Sequence, residues 1–306
     1  MEGERLHFMM SGREGRRATL RGRDWERERT SDAVPTLSGA TRRHAPCTVS
    51  LIIPALNEAA NIEWVLKRIG TGVADEVLLV DGLSLDDTVA IAKATMADIV
   101  MVNERRPGKG AALRAGFAAA TGDIIVMLDA DGSMDPTEID TFTDAIRSGY
   151  DFVKGSRHLP DAGSEDLTWL RDFGNKALGT AVNVLYGTKF TDLCYGFMAF
   201  RRDCLDALEL DADGFEIETQ MVVNAVKAGL RIAEVPSYEL MRRSGQSNLR
   251  TFRDGQRVLR TLLEERFAPA RRRPTADVLD LTEPTVIDLT ALEGPDTAER
   301  RLQTGT

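Results

Sequence analysis

Disulfide-forming pairs are missing from this chain. Its three cysteines, Cys47, Cys194 and Cys204, are an odd number without C-x-x-C spacing. Neither a disulfide scaffold nor a paired-cysteine metal site is encoded, and free thiols in a reducing cytosol are the expectation. Long apolar runs are missing too: nothing approaches the roughly 18 residues that span a bilayer. The opening MEGERLHFMMSGREGRR lacks the continuous apolar segment of a secretory signal. On these absences the chain is expected in the cytoplasm, with peripheral contact at the cytoplasmic face of a membrane left open. Positive charge is also in short supply. Lys and Arg number 39 against 48 Asp and Glu, a net charge of -9, which argues against wholesale binding to nucleic acid.

What is present reads as a globular protein: 42% hydrophobic, 28% charged, with 11 prolines in 306 residues. Residues 1–47 are rich in Arg, Gly and Glu without periodicity, and are expected to form an arm without order. Residues 268–306 turn to Thr, Asp, Glu and Pro, and are expected to be an acidic tail of the same kind. Between them, 48–267 alternates strand and helix. TVSLIIPAL (48–56), DEVLLVDG (75–82), DIVMVN (98–103) and DIIVMLDADG (123–132) are short buried strands. NIEWVLKRI (61–69), DDTVAIAKATM (86–96) and KGAALRAGFAAATG (109–122) separate them at helical spacing. That alternation predicts an α/β fold, a mostly parallel sheet with helices on both faces. Ligands in such sheets bind at the carboxyl ends of the strands. Those ends carry Asn57 and Glu58, Asp81, and Asp129 with Asp131.

Magnesium and manganese prefer oxygen ligands and commonly take one or two carboxylates plus phosphate oxygens. Asp129 and Asp131, two apart at a strand end, would share a face and address such an ion; for any isolated D-x-D a surface turn is the alternative. The string LDADG occurs twice, at 128–132 and 210–214. Asp211 and Asp213 in the second copy precede a helix beginning near Phe215, where acids suit its dipole and cap. RRPGKGAALRAG (105–116) invites comparison with a phosphate-binding loop, but Ala111 stands where Ser or Thr is required. Lys109 and Arg114 are read either as reaching phosphates from the helix start or as solvated charges. No G-x-G-x-x-G follows the first strand, which excludes the usual dinucleotide fingerprint.

The order of these pieces resembles the family 2 glycosyltransferases, in the dolichol-phosphate mannose/glucose synthase-like branch. IIPALNEAANI, VLLVDGLSLDDT, PGKGAALRAGF, IIVMLDADGSMDPTEI, FVKGSRH, TDLCYGFMAFRRDCL, GFEIETQMVVNAVKAGLRIAEVPSYEL and RRSGQSNL are similar to that family's successive elements, over about 49–250. The resemblance implies a GT-A fold, a nucleoside-diphosphate sugar donor, Mg2+ or Mn2+, and inversion by direct displacement. It places Pro54, Ala55, Asn57, Glu58 and Asp81 at the nucleoside, and Lys109, Asp129, Ala130 and Ser247 at the rest of the donor. Asp129 and Asp131 would hold the metal. Arg157 would lie in the acceptor-side loop, Arg242 would act with Ser247 on diphosphate or acceptor phosphate, and Glu218 would contact sugar or serve as base. Two cations of the family pattern are absent: Met198 replaces the Arg of G-F-R, and Asn248 replaces the final Lys of R-x-x-G-x-S-K.

Two acceptors fit. A polyprenyl phosphate brings an oxygen that is already anionic and needs little base help. It also calls for membrane contact, for which the amphipathic stretch 167–187, with Trp169 at one end, is the candidate; packing on the sheet is the alternative. A hydroxyl acceptor, on a small metabolite, natural product or glycan, would instead need Glu216 or Glu218 as base. A non-catalytic sugar-nucleotide-binding scaffold is the reading of another class.

Overall fold

The computed structural model describes residues 47–245, 251–268 and 286–288. In chain order these form β1 (Val49–Ala55), α1 (Ile62–Arg68), β2 (Glu76–Asp81), α2 (Thr88–Thr95), β3 (Val100–Asn103), α3 (Lys109–Ala119) and β4 (Ile124–Met127). A 3-10 turn leads into α4 (Ile139–Arg147), followed by β5 (Phe152–Ser156), β6 (Gly163–Ser164), α5 (Trp169–Tyr186) and β7 (Met198–Arg201). Next come α6 (Leu205–Leu208), α7 (Glu216–Lys227), β8 (Ile232–Pro236), β9 (Tyr238–Glu239), α8 (Thr251–Phe267) and β10 (Val286–Asp288). The sheet order is β10-β8-β5-β7-β4-β1-β2-β3, and β6 pairs separately with β9. Every pairing is parallel except those of β7, which runs antiparallel to both β4 and β5.

Alternation along β1 explains the layering. Ile52 faces a core built with Leu113 and Phe117 of α3, Val182 of α5 and Met221 of α7. Leu51 and Ile53 face the opposite core, with Ile62 and Val65 of α1 and Phe142 of α4. The sheet is buried on both sides, as apolar parallel strands require. The expected α/β sandwich is therefore observed. Val286–Asp288 lies in the stretch expected to lack order, yet it pairs with β8 as an edge strand, adding to a sheet edge whose N–H and C=O groups are open to a further strand.

The chain runs from β1 outward through β2 and β3, then crosses back to place β4 on the other side of β1. Strand order thus reverses between β1 and β4, where α/β sheets bind ligands. The β1–β4 ladder stops at Ile52↔Met127. Pro54, which has no N–H, therefore sits where β1 has already lost its β4 neighbour, so its missing donor costs that ladder nothing.

Candidate functional site

The crevice between β1 and β4 is built from two turns. After β4 the chain leaves the sheet at Leu128 and bends through residues 130–132, with Gly132 at φ 77°. Asp131 therefore lies on a turn rather than on an extended strand end, and the two carboxylates of the first LDADG take different partners. Asp129 accepts from Lys109 Nζ, at 2.6 Å to Oδ1. Asp131 Oδ1 accepts from Ser133 N at 3.0 Å and Ser133 Oγ at 2.7 Å, while its Oδ2 accepts from Arg242 Nη1 at 3.2 Å.

Lys109 also donates to Glu218 Oε1 at 2.6 Å, so one ammonium joins β4's exit to the first turn of α7. Burial opposes that charge, but Asp129 and Glu218 hold Lys109 well above the ordinary lysine range. Burial, with help from Asp131 and Glu218, pushes Asp129 up to about 6 against the pull of Lys109. Arg242 reaches back to Glu58 Oε1, whose other oxygen accepts from Asn61 Nδ2 at 2.5 Å. Burial raises the Glu58 carboxyl despite those two donors. Glu218 fits because position 196 is glycine: a Cβ there would land on its carboxylate.

Two clefts are lined by the cations that bond this pair of acids. One, of about 230 Å³, is lined by Asn57, Glu58, Asn61, Arg242 and Ser244. The other, of about 180 Å³, is lined by Gly108, Lys109, Phe215, Arg253, Asp254 and Arg257. Each acid of the pair is thus bonded to a cation belonging to a different cleft.

The second LDADG does not cap α7, whose N-terminus makes no side-chain cap bond. Its backbone turns toward α3 instead: Asp213 O accepts from Gly110 N at 2.8 Å and Ala111 N at 3.3 Å, and Arg114 bonds to Ala212 O and the Asp213 carboxylate. A Cβ at Gly108 or Gly110 would collide with these carbonyls. The glycines of PGKG thus admit a peptide turn where a phosphate-binding loop would admit phosphate, and Arg114 is tied to that turn.

The remaining expected residues divide. Asn57 adopts φ 57°, and its Oδ1 accepts from Leu85 N at 2.8 Å, bracing the β1 turn against the β2 turn. Asp81 is buried, and its carboxylate accepts from Leu83 N and Ser84 N at 3.1–3.3 Å. Ala55 and Ala130 are buried at the two strand exits. Arg157 is not brought to the acid pair. It follows β5, which β7 separates from β4, and it forms a bidentate pair with Asp192 (2.7 and 3.0 Å) plus a 3.0 Å bond to Glu239. Ser247 lies outside the described residues, as does Asn248. Sequence reasoning missed Asn61, which bridges Glu58 to Ser244 O at 3.2 Å. It also missed Trp64, held between the guanidinium groups of Arg68 and Arg243, each 4.8 Å from its ring. The N-E-x-x-N spacing was the available signal for Asn61.

A model of the glycosyl transferase family 2 domain matches residues 50–208. The chain is a family 2 glycosyltransferase. The transferase is 30% identical over 236 residues to the polyprenol monophosphomannose synthase of Mycolicibacterium smegmatis, covering 73% of this chain and 87% of that one. It is 32% identical over 214 residues to the undecaprenyl-phosphate mannosyltransferase of Micrococcus luteus, covering 66% and 87%. Among solved structures it is similar to glucosyl-3-phosphoglycerate synthase of Mycobacterium tuberculosis in complex with Mn2+, UDP and phosphoglyceric acid. There the TM-score is 0.58 at 25% identity, over 73% of this chain and 80% of that one.

Proposed function

We propose that this transferase moves a hexosyl group from a nucleoside-diphosphate sugar to a polyprenyl phosphate, with inversion. An ionised phosphate oxygen of the acceptor bonds to the anomeric carbon as the bond from that carbon to the donor's diphosphate breaks. The nucleoside diphosphate leaves with the electron pair, and no proton need move. The observation that carries the phosphate reading is the engagement of Glu218 by Lys109 at 2.6 Å. A hydroxyl acceptor would require a carboxylate free to take its proton. That leaves Glu216 as the base of the alternative: its Oε1 accepts from Gly214 N at 3.2 Å, and its buried Oε2 has no partner among the described residues. The relatives named for polyprenol phosphate and undecaprenyl phosphate acceptors support the same class.

The residues fit a divalent cation. Among the described residues no cluster of three or more His, Cys, Asp or Glu is present. Two carboxylates, Asp129 and Asp131, with further positions left to diphosphate oxygens, are what Mg2+ or Mn2+ takes in nucleotide sites. When bound there, the ion offsets negative charge on the departing diphosphate. Glu58, Asn57, Asn61 and Arg242 bind and orient the donor from the larger cleft, with Pro54, Ala55, Asp81 and Ala130 shaping the strand exits. Among the described residues no helix is long and apolar enough to cross a membrane. The first turns of α5, where Trp169 is 81% and Phe173 68% exposed, supply the peripheral contact a lipid acceptor calls for.

A panel of GDP- and UDP-sugars followed by thermal shift, with and without Mn2+, tests the donor side. A productive donor raises Tm by mass action, and more with metal. Asp131→Ala is expected to abolish the metal-dependent increment and keep the fold; an unchanged increment refutes the site. Transfer of labelled sugar into an organic-phase, mild-acid-labile product tests the acceptor. The likeness to glucosyl-3-phosphoglycerate synthase favours a second reading, a small phosphorylated acceptor in water, for which label would stay in the aqueous phase.

A further inference from the structure

The two cations missing from the family pattern raise the question of what holds an acceptor phosphate here. Met198 is fully buried in the core beneath the sheet, so that position offers nothing to either cleft. The smaller cleft does. Arg253 and Arg257 stand on α8 four residues apart, hence on one face, and both are exposed. Across from them stand Lys109 and Phe215, with the ammonium 5.9 Å from the ring centroid. Asp254 also lines the cleft and pairs with Arg257 at 3.7 Å, as Asp129 and Glu218 pair with Lys109. Arg253 forms no ion pair with a described residue.

Size and position narrow the ligand. A volume of about 180 Å³ falls below the ~300–1,000 Å³ of pockets that enclose whole drug-sized ligands. It suits one anionic group whose remainder lies outside. The cleft opens on Lys109, which bonds Asp129 and Glu218, whereas the larger, donor-side cleft opens on Arg242, which bonds Asp131. An anion in each therefore meets the acid pair through a different cation. Guanidinium groups match phosphate oxygens through paired N–H donors.

Resting on the transferase reading above, we infer that Arg253 and Arg257 of α8, with Lys109, bind the phosphate monoester of the acceptor. Helix α8 thereby supplies phosphate-binding cations in a sequence that has none at 198 or 248. The phosphate belongs either to a polyprenyl lipid or to a small phosphorylated metabolite, and the arms of the test separate these.

Arg253→Gln, Arg257→Gln and the double variant are compared with wild type, with Arg257→Lys as a conservative control and Tm as the check on folding. With undecaprenyl phosphate in detergent micelles, each Gln substitution is expected to raise acceptor KM roughly tenfold to a hundredfold, with kcat and donor affinity little changed. Arg257→Lys restores part of the loss. In the second arm, phosphoglyceric acid and inorganic phosphate are titrated by calorimetry, and their affinity falls in the same variants. If wild type glycosylates phosphoglyceric acid and not the lipid, while the variants still weaken phosphate binding, the lipid reading falls and the cleft assignment stands. If the folded double variant leaves lipid KM and affinity for both soluble phosphates unchanged, the assignment is overturned. Because Arg257 touches Asp254, a variant that lowers Tm is set aside for Arg253→Gln, which breaks no ion pair with a described residue and must alone reproduce the effect.

Discussion

At the scale of single residues, the crevice is a set of acids each held by a named donor. Asp129 has Lys109, Asp131 has Ser133 and Arg242, and Glu58 has Asn61 and Arg242. The acids were legible because a fully apolar run, Ile124–Met127, emerges into D-x-D. Their donors were less so. Lys109 was weighed by phosphate-loop spacing, which is silent about a turn 100 residues away that packs on Gly108 and Gly110. Arg157 shows the same limit: no local pattern announces its bidentate pair with Asp192. Glu218→Gln and Glu216→Gln, measured side by side, decide between the acceptor classes. With a phosphate acceptor, kcat should fall less than about tenfold, because the amide oxygen still accepts from Lys109. With a hydroxyl acceptor the loss should reach roughly 10²–10⁴-fold, the usual worth of a general base. Initial rates at saturating donor check it.

At the scale of elements, α3 is fixed by its neighbours more than by its own sequence. Its first N–H groups, which a helix leaves without internal partners, are satisfied by Asp213 O. Gly110→Ala should therefore push α3 off the 211–214 turn and destabilise by about 1–3 kcal/mol, as overpacking does. A lower urea midpoint with unchanged slope would record it. Helix α5 makes the opposite case. Its amphipathic pattern was readable: Val182 packs inward while Trp169 and Phe173 project outward, where the proposed membrane contact would lie. Phe173→Ser should weaken sedimentation with anionic lipid vesicles roughly tenfold and leave Tm near wild type. The reversed strand β7 was not legible. Four residues, Met198–Arg201, buried between two neighbours read the same whichever way they run.

At the scale of the whole molecule, acid stability is set by buried pairs of opposite sign. The Asp192 carboxyl, for all its burial, is held far below its ordinary range by Arg157 and Lys154. Its contribution is complete above its unfolded value, about 3.9, and is lost as pH falls toward the folded value. Burial raises Glu234, so its cost is relieved as pH falls through that raised value. Tm should then hold level or rise slightly from pH 7 to about 5, and decline steeply below about 4. Scanning calorimetry in a buffer series gives the profile, and a monotonic fall from pH 7 would contradict it. Asp192→Asn, which leaves Arg157 buried beside a neutral partner, should cost about 3–5 kcal/mol at neutral pH.

The acid pair closed by one lysine and one arginine also sets an order of events. A bare divalent ion must compete with two tethered cations already seated on the two acids proposed as its ligands, whereas a nucleoside diphosphate in the larger cleft offers Arg242 an alternative anion. Nucleotide and ion should therefore load as partners. Titrated alone, Mn2+ should bind this protein roughly 5–150-fold more weakly than in the presence of the matching nucleoside diphosphate, and the nucleotide should gain the same factor from Mn2+.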